Sequence, residues 1–243
     1  YVSVFFEDNM DIYFLRQLVN ERLSTVDIPE SWGKPTLGPN TTGLGQVFWY
    51  QLYDKTSKYS LKELREMQEY LVTPLFKSVK GVEDVIGWGG DEKQYNILVD
   101  SKKLQNVNIT YNDIVIALQK SNQVAGGQYL EFNKEQYLIR GVGLYKSIED
   151  IKKTVIKSEN SQAITIEDIG SVEESSKPRF GAVSINGNES VIGMILQRSQ
   201  TNAAEVVSKI KEKVQTVNSV LPQGVEIRPM YDRTELTLKA VDT

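Results

Sequence analysis

The sequence predicts an α+β fold in which two β-α-β units share one sheet and a smaller α+β module lies between them in the chain. Each unit, over residues 46–88 and 190–231, consists of an apolar strand, an amphipathic helix and a returning strand. Lys80-Gly81-Val82-Glu83 and Gln223-Gly224-Val225-Glu226 occupy the same place in the two units, immediately after each helix. Two such units that pack as one sheet with two helices form the ferredoxin-like, split βαβ arrangement.

The chain opens with a predicted strand and a predicted helix. Residues 1–6 alternate in the manner of a strand, and residues 7–9 turn the chain. A helix follows from about Asp11 and stops before Pro29. Its apolar residues recur at helical spacing and are Ile12, Leu15, Leu18, Val19, Leu23 and Val26. Residues 31–44 are rich in Gly, Pro and Thr, which predicts a connection between two structural units.

The first β-α-β unit carries strong local signals. Residues 46–53 are strongly β-prone. Ser60-Leu61-Lys62-Glu63 is a capping box, which opens a helix by satisfying free backbone N–H groups. Gly81 ends that helix, and residues 82–88 return as a strand. The predicted apolar face of the helix comprises Leu61, Leu64, Met67, Leu71 and Leu75.

The second unit repeats this plan. Residues 190–197 predict its first strand, and Asn202 and Glu205 cap its helix. The helix ends at residues 222–224, and residues 225–231 predict the returning strand. The apolar stripe of the helix comprises Val206, Ile210, Val214, Val217 and Leu221.

The segment between the units predicts the small α+β module. Gly89-Gly90-Asp91 are predicted to turn the chain into a strand over residues 94–100. Capped helices begin at Thr110 and at Ser147, and the first is predicted to bury Ile114, Val115 and Leu118. Further strands are predicted over residues 128–132, 136–142, 163–166, 172–173 and 180–185, with turns at Asn133-Lys134 and Asn186-Gly187.

The composition excludes most catalytic chemistry. The 243-residue chain has no cysteine and no histidine, so thiolate nucleophiles, zinc fingers and Ser-His-Asp hydrolases are ruled out. A formal charge of −4 is unlike the basic footprint of a nucleic-acid-binding domain. We therefore predict no enzyme activity, no cofactor and no nucleic-acid partner. The start within a strand pattern, without an initiator Met, predicts a piece of a longer protein.

Three other features are compatible with chemistry, but each favours a structural role. Acidic pairs such as Glu149-Asp150 and Glu167-Asp168 are predicted to cap helices or lie in turns rather than bind hard cations. The glycine-rich stretches 87–90 and 141–143 are predicted to be hairpin turns, not phosphate loops. The methionines are predicted to fill the core rather than bind Cu(I), and they are Met10, Met67, Met194 and Met230.

Seven short stretches become specific through their order and spacing. They are LGPNTTGLG at 37–45, VKGVEDV at 79–85, QYNILVD at 94–100, SNQVAGG at 121–127, IGSV at 169–172, LPQGVEI at 221–227 and YDRT at 231–234. Together they resemble the periplasmic part of resistance–nodulation–division efflux transporters, and specifically the heavy-metal efflux branch. The resemblance runs over essentially the whole chain.

This resemblance implies that the chain is most of the first large periplasmic loop of such a transporter. The implied parts are the second half of the first porter subdomain at residues 1–30, a connection at 31–44, the second porter subdomain at 45–100 and 188–234, an inserted docking subdomain at 101–187, and a lead into a membrane helix at 235–243.

The resemblance also implies two functional surfaces. The helix equivalent to residues 11–26 lines the central pore of the trimer in this family, which assigns to the pore Asp11, Leu15, Leu18 and Arg22. The hairpin of the docking subdomain implies a trimer and docking interface at Gly126, Gly127, Tyr129 and Phe132. This hairpin is shorter than the arm of multidrug members, which favours the metal branch.

The implied function is proton-driven efflux of a heavy-metal cation at the inner membrane of a Gram-negative bacterium. The pump would be a homotrimer that works with a periplasmic adaptor and an outer-membrane channel. Family proton-relay carboxylates and metal ligands match no residue of this chain, so the cation would bind outside it. Two alternatives stay open: a multidrug or lipid exporter of the same superfamily, and an autonomous ferredoxin-like ligand-binding module.

Overall fold

The computed structural model describes residues 2–7, 10–29, 33–42, 44–132, 135–159 and 162–234, with the backbone alone for residues 125, 127–132 and 137–140. Its helices are α1 (Ile12–Ser24), α2 (Leu61–Met67), α3 (Thr73–Lys77), α4 (Ser101–Asn106), α5 (Tyr111–Ser121), α6 (Ile148–Lys152), α7 (Ile166–Ile169) and α8 (Ala203–Val220). Its strands are β1 (Gln46–Asp54), β2 (Val82–Trp88), β3 (Lys93–Val99), β4 (Val124–Phe132), β5 (Glu135–Val142), β6 (Val155–Glu159), β7 (Gln162–Thr165), β8 (Gly170–Ser176), β9 (Ser184–Ile185), β10 (Asn188–Glu189), β11 (Val191–Gln197) and β12 (Val225–Asp232).

A four-stranded antiparallel sheet, ordered β12-β1-β11-β2, forms the larger unit of the fold. Its inner strands are the first strands of the two predicted β-α-β units, and its edge strands are the returning ones. The α2–α3 helical segment and α8 pack on this sheet and share one core with it. That core includes the fully buried side chains of Phe48, Tyr50, Leu52, Val72, Phe76, Ile195 and Ile210. We call this part of the chain the four-stranded unit.

Strong local signals located these elements to within a residue. Each of the four strands of the sheet begins and ends within one residue of its predicted range. The Ser60–Glu63 capping box is present, with the Ser60 N–H donating to the Glu63 carboxylate at 2.8 Å. Asn202 caps α8, its side-chain oxygen accepting the Ala204 N–H at 3.0 Å, an ordinary distance for such a bond. Helix caps and runs of β-branched residues act through residues that are close in the sequence. Their preferences agree with the tertiary packing here, so the predicted elements form.

The helix between β1 and β2 is not the uniform α-helix that its apolar spacing predicts. Gln68–Val72 forms a π-helical turn between α2 and α3, in which the Thr73 N–H bonds to the Gln68 carbonyl. The extra residue rotates the buried face, so Leu71 is 36% exposed whereas Val72 is fully buried. Leu71 was therefore wrongly predicted to belong to the apolar face.

The predicted strand at the beginning of the chain is absent from the described residues. Residues 2–7 have no regular structure, and Val2 and Phe5 are 86% and 91% exposed. A strand needs a neighbour to satisfy its backbone, and no described strand pairs with this segment. The α1 helix that follows begins as predicted but ends at Ser24, before Pro29. Residues 8, 9 and 30–32 lie outside the described part.

The inserted module consists of two-stranded antiparallel sheets, β3-β8, β4-β5 and β6-β7, with a further small pair, β10-β9. Two small cores hold the module together, separately from that of the four-stranded unit. Their buried residues are Leu104, Ile109, Ile114 and Ile169 in one, and Ile151, Ile166 and Val172 in the other.

Several predictions for this module were wrong. Gly89 and Gly90 do not form a hairpin turn, because β3 pairs with β8 instead of β2. Residues 141–143 likewise end β5 rather than turn a hairpin. Val115 is 50% exposed, and the strand predicted over residues 180–185 is reduced to β9.

The short elements of the module were also incompletely predicted. Helix α4 and strand β6 were missed, and Ile166 begins a helix rather than ending a strand. In a module of short elements, pairing over long sequence separations decides the structure, which local patterns do not report. The hairpin of β4 and β5 is confirmed, while its predicted turn at residues 133–134 lies outside the described part.

Candidate functional site

Helix α1 presents the predicted pore residues on one face. Asp11 caps the helix, its side chain accepting the Tyr13 N–H at 2.8 Å. Leu15 is only 5% exposed, Leu18 is half-buried and Arg22 is exposed. Spacings of three and four residues place these four side chains on one side of the helix. The structure brings them together, and their role in a pore stays a prediction.

Helix α1 also carries two exposed aromatic side chains. Tyr13 and Phe14 are 54% and 57% exposed. Exposed aromatics on one short helix are unusual, since such side chains are normally removed from water. Sequence analysis did not select these two residues, because the apolar stripe that it followed is the inward one.

A carboxylate joins the connection after α1 to the four-stranded unit. Glu83, on β2, accepts the backbone N–H of Asn40 at 3.0 Å through one oxygen. Its other oxygen accepts the Nε–H of Arg198 at 2.9 Å. The carbonyl of Asn40 in turn accepts the N–H of Ser199 at 3.0 Å. We call these four residues the Glu83 junction.

The charge of Glu83 is stabilised by its surroundings. Partial burial alone would raise the pKa of Glu83, but the hydrogen bonds from Asn40 and Arg198 outweigh that effect. The positive charge of Arg16 on α1 also contributes, and the pKa of Glu83 lies below its usual value. The junction is therefore ionised at neutral pH, and its field reaches helix α1.

The predicted trimer and docking residues lie on the β4–β5 hairpin. Gly126 pairs with Arg140, Tyr129 with Leu138 and Phe132 with Glu135. Between Gly126 and Tyr129 the register shifts by one residue, which is a β-bulge over the predicted glycine pair. The side chains of Tyr129 and Phe132 lie outside the described part, so the structure gives their backbone pairing and no contact.

Charged side chains connect the four-stranded unit to the inserted module. Lys93 on β3 lies 3.1 Å from Glu174 on β8 and 3.2 Å from Glu66 on α2. Lys62 on α2 lies 3.2 Å from the same Glu174. Hydrogen bonds to Glu174 and then Glu66 raise the pKa of Lys93. These four residues, the Lys93 network, lie between separate hydrophobic cores.

A cleft of about 540 Å³ lies between the end of β1, the loop before α2 and the β9–β10 hairpin. Its charged groups are already engaged. Arg228 stacks 3.4 Å above the centre of the Tyr53 ring, and Glu189 pairs with Arg179 at 3.2 Å. The Asp54 carboxylate accepts several hydrogen bonds from its own loop. The cleft thus offers mainly neutral polar groups.

The predicted structural roles of two acidic pairs and of two methionines are confirmed. Asp150 and Asp168 complete capping boxes at α6 and α7. Met194 is 7% exposed in the sheet, and Met67 packs against the core of the four-stranded unit. The core role predicted for the other two methionines was wrong, because Met10 and Met230 are 47% and 49% exposed.

Neither a metal centre nor a membrane helix is found in the described residues. Among them, no three Asp or Glu side chains are grouped as ligands for a metal ion. In the same part of the chain, each helix is too short or too polar to cross a membrane.

Comparisons with known proteins place this fold in a family of transporters. Residues 1–243 match the AcrB/AcrD/AcrF family. The chain is 36% identical over 251 residues to the cobalt-zinc-cadmium resistance protein CzcA of Cupriavidus metallidurans, covering 100% of this chain and 24% of that protein. It is 35% identical over 245 residues to the cation efflux system protein CusA of Escherichia coli K12, covering 100% and 23%.

A solved structure agrees with these relatives. The crystal structure of a heavy metal efflux pump, crystal form II, superposes with a TM-score of 0.82 at 31% identity, covering 98% of this chain and 24% of that one. The chain belongs to the AcrB/AcrD/AcrF family. It resembles the heavy-metal efflux members of that family, and it spans about a quarter of the length of the relatives that it matches.

Proposed function

We propose that this chain is the periplasmic porter and docking part of a proton-driven inner-membrane pump that exports a heavy-metal cation. The observation that carries the proposal is the match over the whole chain to the cobalt-zinc-cadmium protein CzcA, at 36% identity. A relative whose solved structure is a heavy metal efflux pump has the same fold. The role is mechanical rather than enzymatic: rigid subdomains shift around a transport path.

The subdomain assignment follows the sheets. The order β12-β1-β11-β2, with two helices on the sheet, supports a ferredoxin-like second porter subdomain made from residues 45–100 and 188–234. The separate small cores support a docking subdomain at residues 101–187. Because β3 pairs with β8, the backbone joins the end of the first range to the docking subdomain. Residues 1–30 and 31–44 would be half of the first porter subdomain and a connection.

The proposed partners are two further copies of the pump in a homotrimer, a periplasmic adaptor and an outer-membrane channel. Helix α1 would line the central pore, and the β4–β5 hairpin would contribute to the trimer and docking interface. The transported cation would be bound by residues outside this chain. Among the described residues, no cluster of Asp and Glu side chains could hold a metal ion, which is compatible with a binding site outside this chain.

Metal tolerance tests the proposal. The complete gene that encodes this chain, with its adaptor and channel genes, is expressed in a Gram-negative host without its own metal exporters. The tolerated concentrations of cobalt, zinc, cadmium, nickel, copper and silver salts are then measured beside those of a panel of drugs and detergents. We expect higher tolerance to at least one cation, and no change with an interrupted reading frame.

The other outcomes separate the alternatives. Tolerance to drugs or detergents alone would favour a multidrug or lipid exporter of the same family. A product that stays in the soluble fraction and changes no tolerance would contradict a pump and favour an autonomous ligand-binding module.

A further inference from the structure

Three segments of the chain meet at the carboxylate of Glu83. Strand β2 carries Glu83, the connection supplies the N–H of Asn40, and the loop between β11 and α8 supplies Arg198. The loop is fixed further, because the Arg198 N–H donates to the carbonyl of Gly81 at 2.8 Å. One side chain thus joins the connection after α1 to the four-stranded unit.

The second β-α-β unit provides an internal comparison. Glu226 follows a helix and a glycine in the sequence Gly224-Val225-Glu226, as Glu83 does in Gly81-Val82-Glu83. Glu226 lies 2.5 Å from Lys55 Nζ and 3.4 Å from an Arg228 nitrogen, and both partners are side chains. The Glu83 side chain is 18% exposed, against 29% for Glu226, and it alone of the two is seen to bind a backbone N–H.

The difference concerns what each carboxylate fixes in place. Flexible cations at a surface contribute little to the rigidity of a structure. A backbone N–H bonded to a carboxylate fixes the path of the chain, and such charge-assisted bonds are about twice as strong as neutral ones. Asn40 is itself only 7% exposed, so its N–H would lose its partner in a largely water-free place without Glu83.

We propose that Glu83 is a positioning residue that couples movements of the connection after α1 to the four-stranded unit during transport. The coupling rests on the proposed function, whereas the mechanical joint itself does not. Glu83 acts by holding the connection and the sheet together.

Amide hydrogen exchange of the 243-residue chain tests the joint directly. In Glu83→Gln, we expect exchange at Asn40 and Ser199 to accelerate roughly tenfold, because a charged acceptor is lost. In the matched control Glu226→Gln, exchange at these sites should stay as in the wild type. Equal exchange in the two variants would overturn the joint. If Glu83→Gln does not fold, Glu83→Asp, which keeps the charge but withdraws it by one methylene, is judged by the same criterion.

The complete pump then tests the coupling. Glu83→Gln should lose metal tolerance at an unchanged protein level, while Glu226→Gln should keep it. Tolerance retained by Glu83→Gln would overturn the coupling. If the wild-type pump confers no metal tolerance, the proposed function is contradicted. The exchange data alone then show whether Glu83 holds the connection to the four-stranded unit.

Discussion

At the scale of single residues, Gly193 shows how a missing side chain can be required by its neighbour. Gly193 pairs with Tyr50 across the sheet, and a Cβ at this position would overlap the phenol of Tyr50. That phenol cannot move aside, because it is fully buried and accepts a hydrogen bond from Gln68 at 2.9 Å. Burial raises the pKa of Tyr50, so the phenol stays protonated in the folded protein.

Gly193→Ala should therefore destabilise the four-stranded unit. We expect a loss of about 1–3 kcal/mol in the free energy of unfolding, which is typical of overpacking a core. Chemical denaturation monitored by circular dichroism measures it. Gly181→Ala is the matched control, since no atom lies near a Cβ at that position, and its change should stay within about 0.5 kcal/mol. Equal effects of the two substitutions would contradict the packing argument.

Asp54 organises the loop that follows β1. Its carboxylate accepts the N–H groups of Thr56, Lys58 and Tyr59 at 2.7, 2.7 and 2.9 Å. Partial burial alone would raise the pKa of Asp54, but these bonds and the Thr56 hydroxyl outweigh it and lower the pKa to about 2. The ordinary value is 3.8. The stability from Asp54 is thus present above about pH 4 and is lost as the pH falls towards 2.

Asp54→Asn should cost about 1 kcal/mol at pH 6, which is below the ~1.5 kcal/mol expected for a buried bond to a charged group because the loop is partly exposed. The difference between wild type and variant should shrink between pH 4 and pH 2, as the wild-type carboxylate takes up its proton. Urea denaturation at several pH values measures both effects. Asp27→Asn, at an exposed position, should follow the wild type throughout. A difference that is independent of pH would count against the hydrogen-bonded carboxylate.

At the scale of elements, the helix between β1 and β2 separates what local patterns can predict from what they cannot. The capping box located its first residue, because all of its atoms lie within four residues of the chain. The π turn depends on contacts with other parts of the chain. The buried Gln68 side chain donates to the hydroxyl oxygens of Tyr50 and Thr73, at 2.9 and 3.2 Å. Such π turns are rare, and they occur frequently at functional sites. Periodicity alone cannot reveal it.

Because of the π turn, we expect truncation of Val72 to cost more stability than truncation of Leu71. A regular helix with the predicted apolar stripe would give the opposite order. Val72→Ala removes two fully buried methyl groups and should cost about 2 kcal/mol. Leu71→Ala acts at a position that is 36% exposed and should cost clearly less, about 0.5 kcal/mol. Thermal or chemical unfolding of the two variants compares them. A larger loss for Leu71→Ala would mean that the helix is regular.

The acidic side chains show the same difference between local contacts, which the sequence predicts, and distant contacts, which it does not. The acidic capping pairs were identified from the sequence because their partners are three residues away. The Glu83 junction was missed, although the repeated Gly-Val-Glu sequence placed Glu83 and Glu226 in equivalent positions. Only the fold brings Asn40 and Arg198 to Glu83, across sequence separations of 43 and 115 residues.

At the scale of the whole molecule, the contact between the four-stranded unit and the inserted module is charged. Each part has its own hydrophobic core, and the Lys93 network lies between them. Its side chains are 26–39% exposed, so each ion pair is weak on its own. Polar contacts of this kind allow relative motion more readily than apolar ones. The four strands of the large sheet were predicted from the repeated β-α-β pattern, but this charged contact was not.

Removing Lys93 should therefore loosen the two parts relative to each other without unfolding either. The chain has no cysteine, so Ser158→Cys in β6 and Ser219→Cys in α8 give one spin-label pair across the contact. Lys93→Met leaves Glu66 and Glu174 without their shared cation and should broaden the distance distribution in double electron–electron resonance. Raising the salt concentration of the wild type to 1 M, where the screening length is about 3 Å, should broaden it in the same direction.

The matched control lies within one helix. Lys209→Met breaks an ion pair between Lys209 and Glu205 on α8, so it removes the same charge without touching the contact. Its distance distribution should equal that of the wild type. If Lys93→Met leaves the distribution equally narrow, the backbone link through β3 and β8 fixes the two parts by itself, because the charges are then not needed to hold their orientation. In that case the four-stranded unit and the inserted module would move as one body.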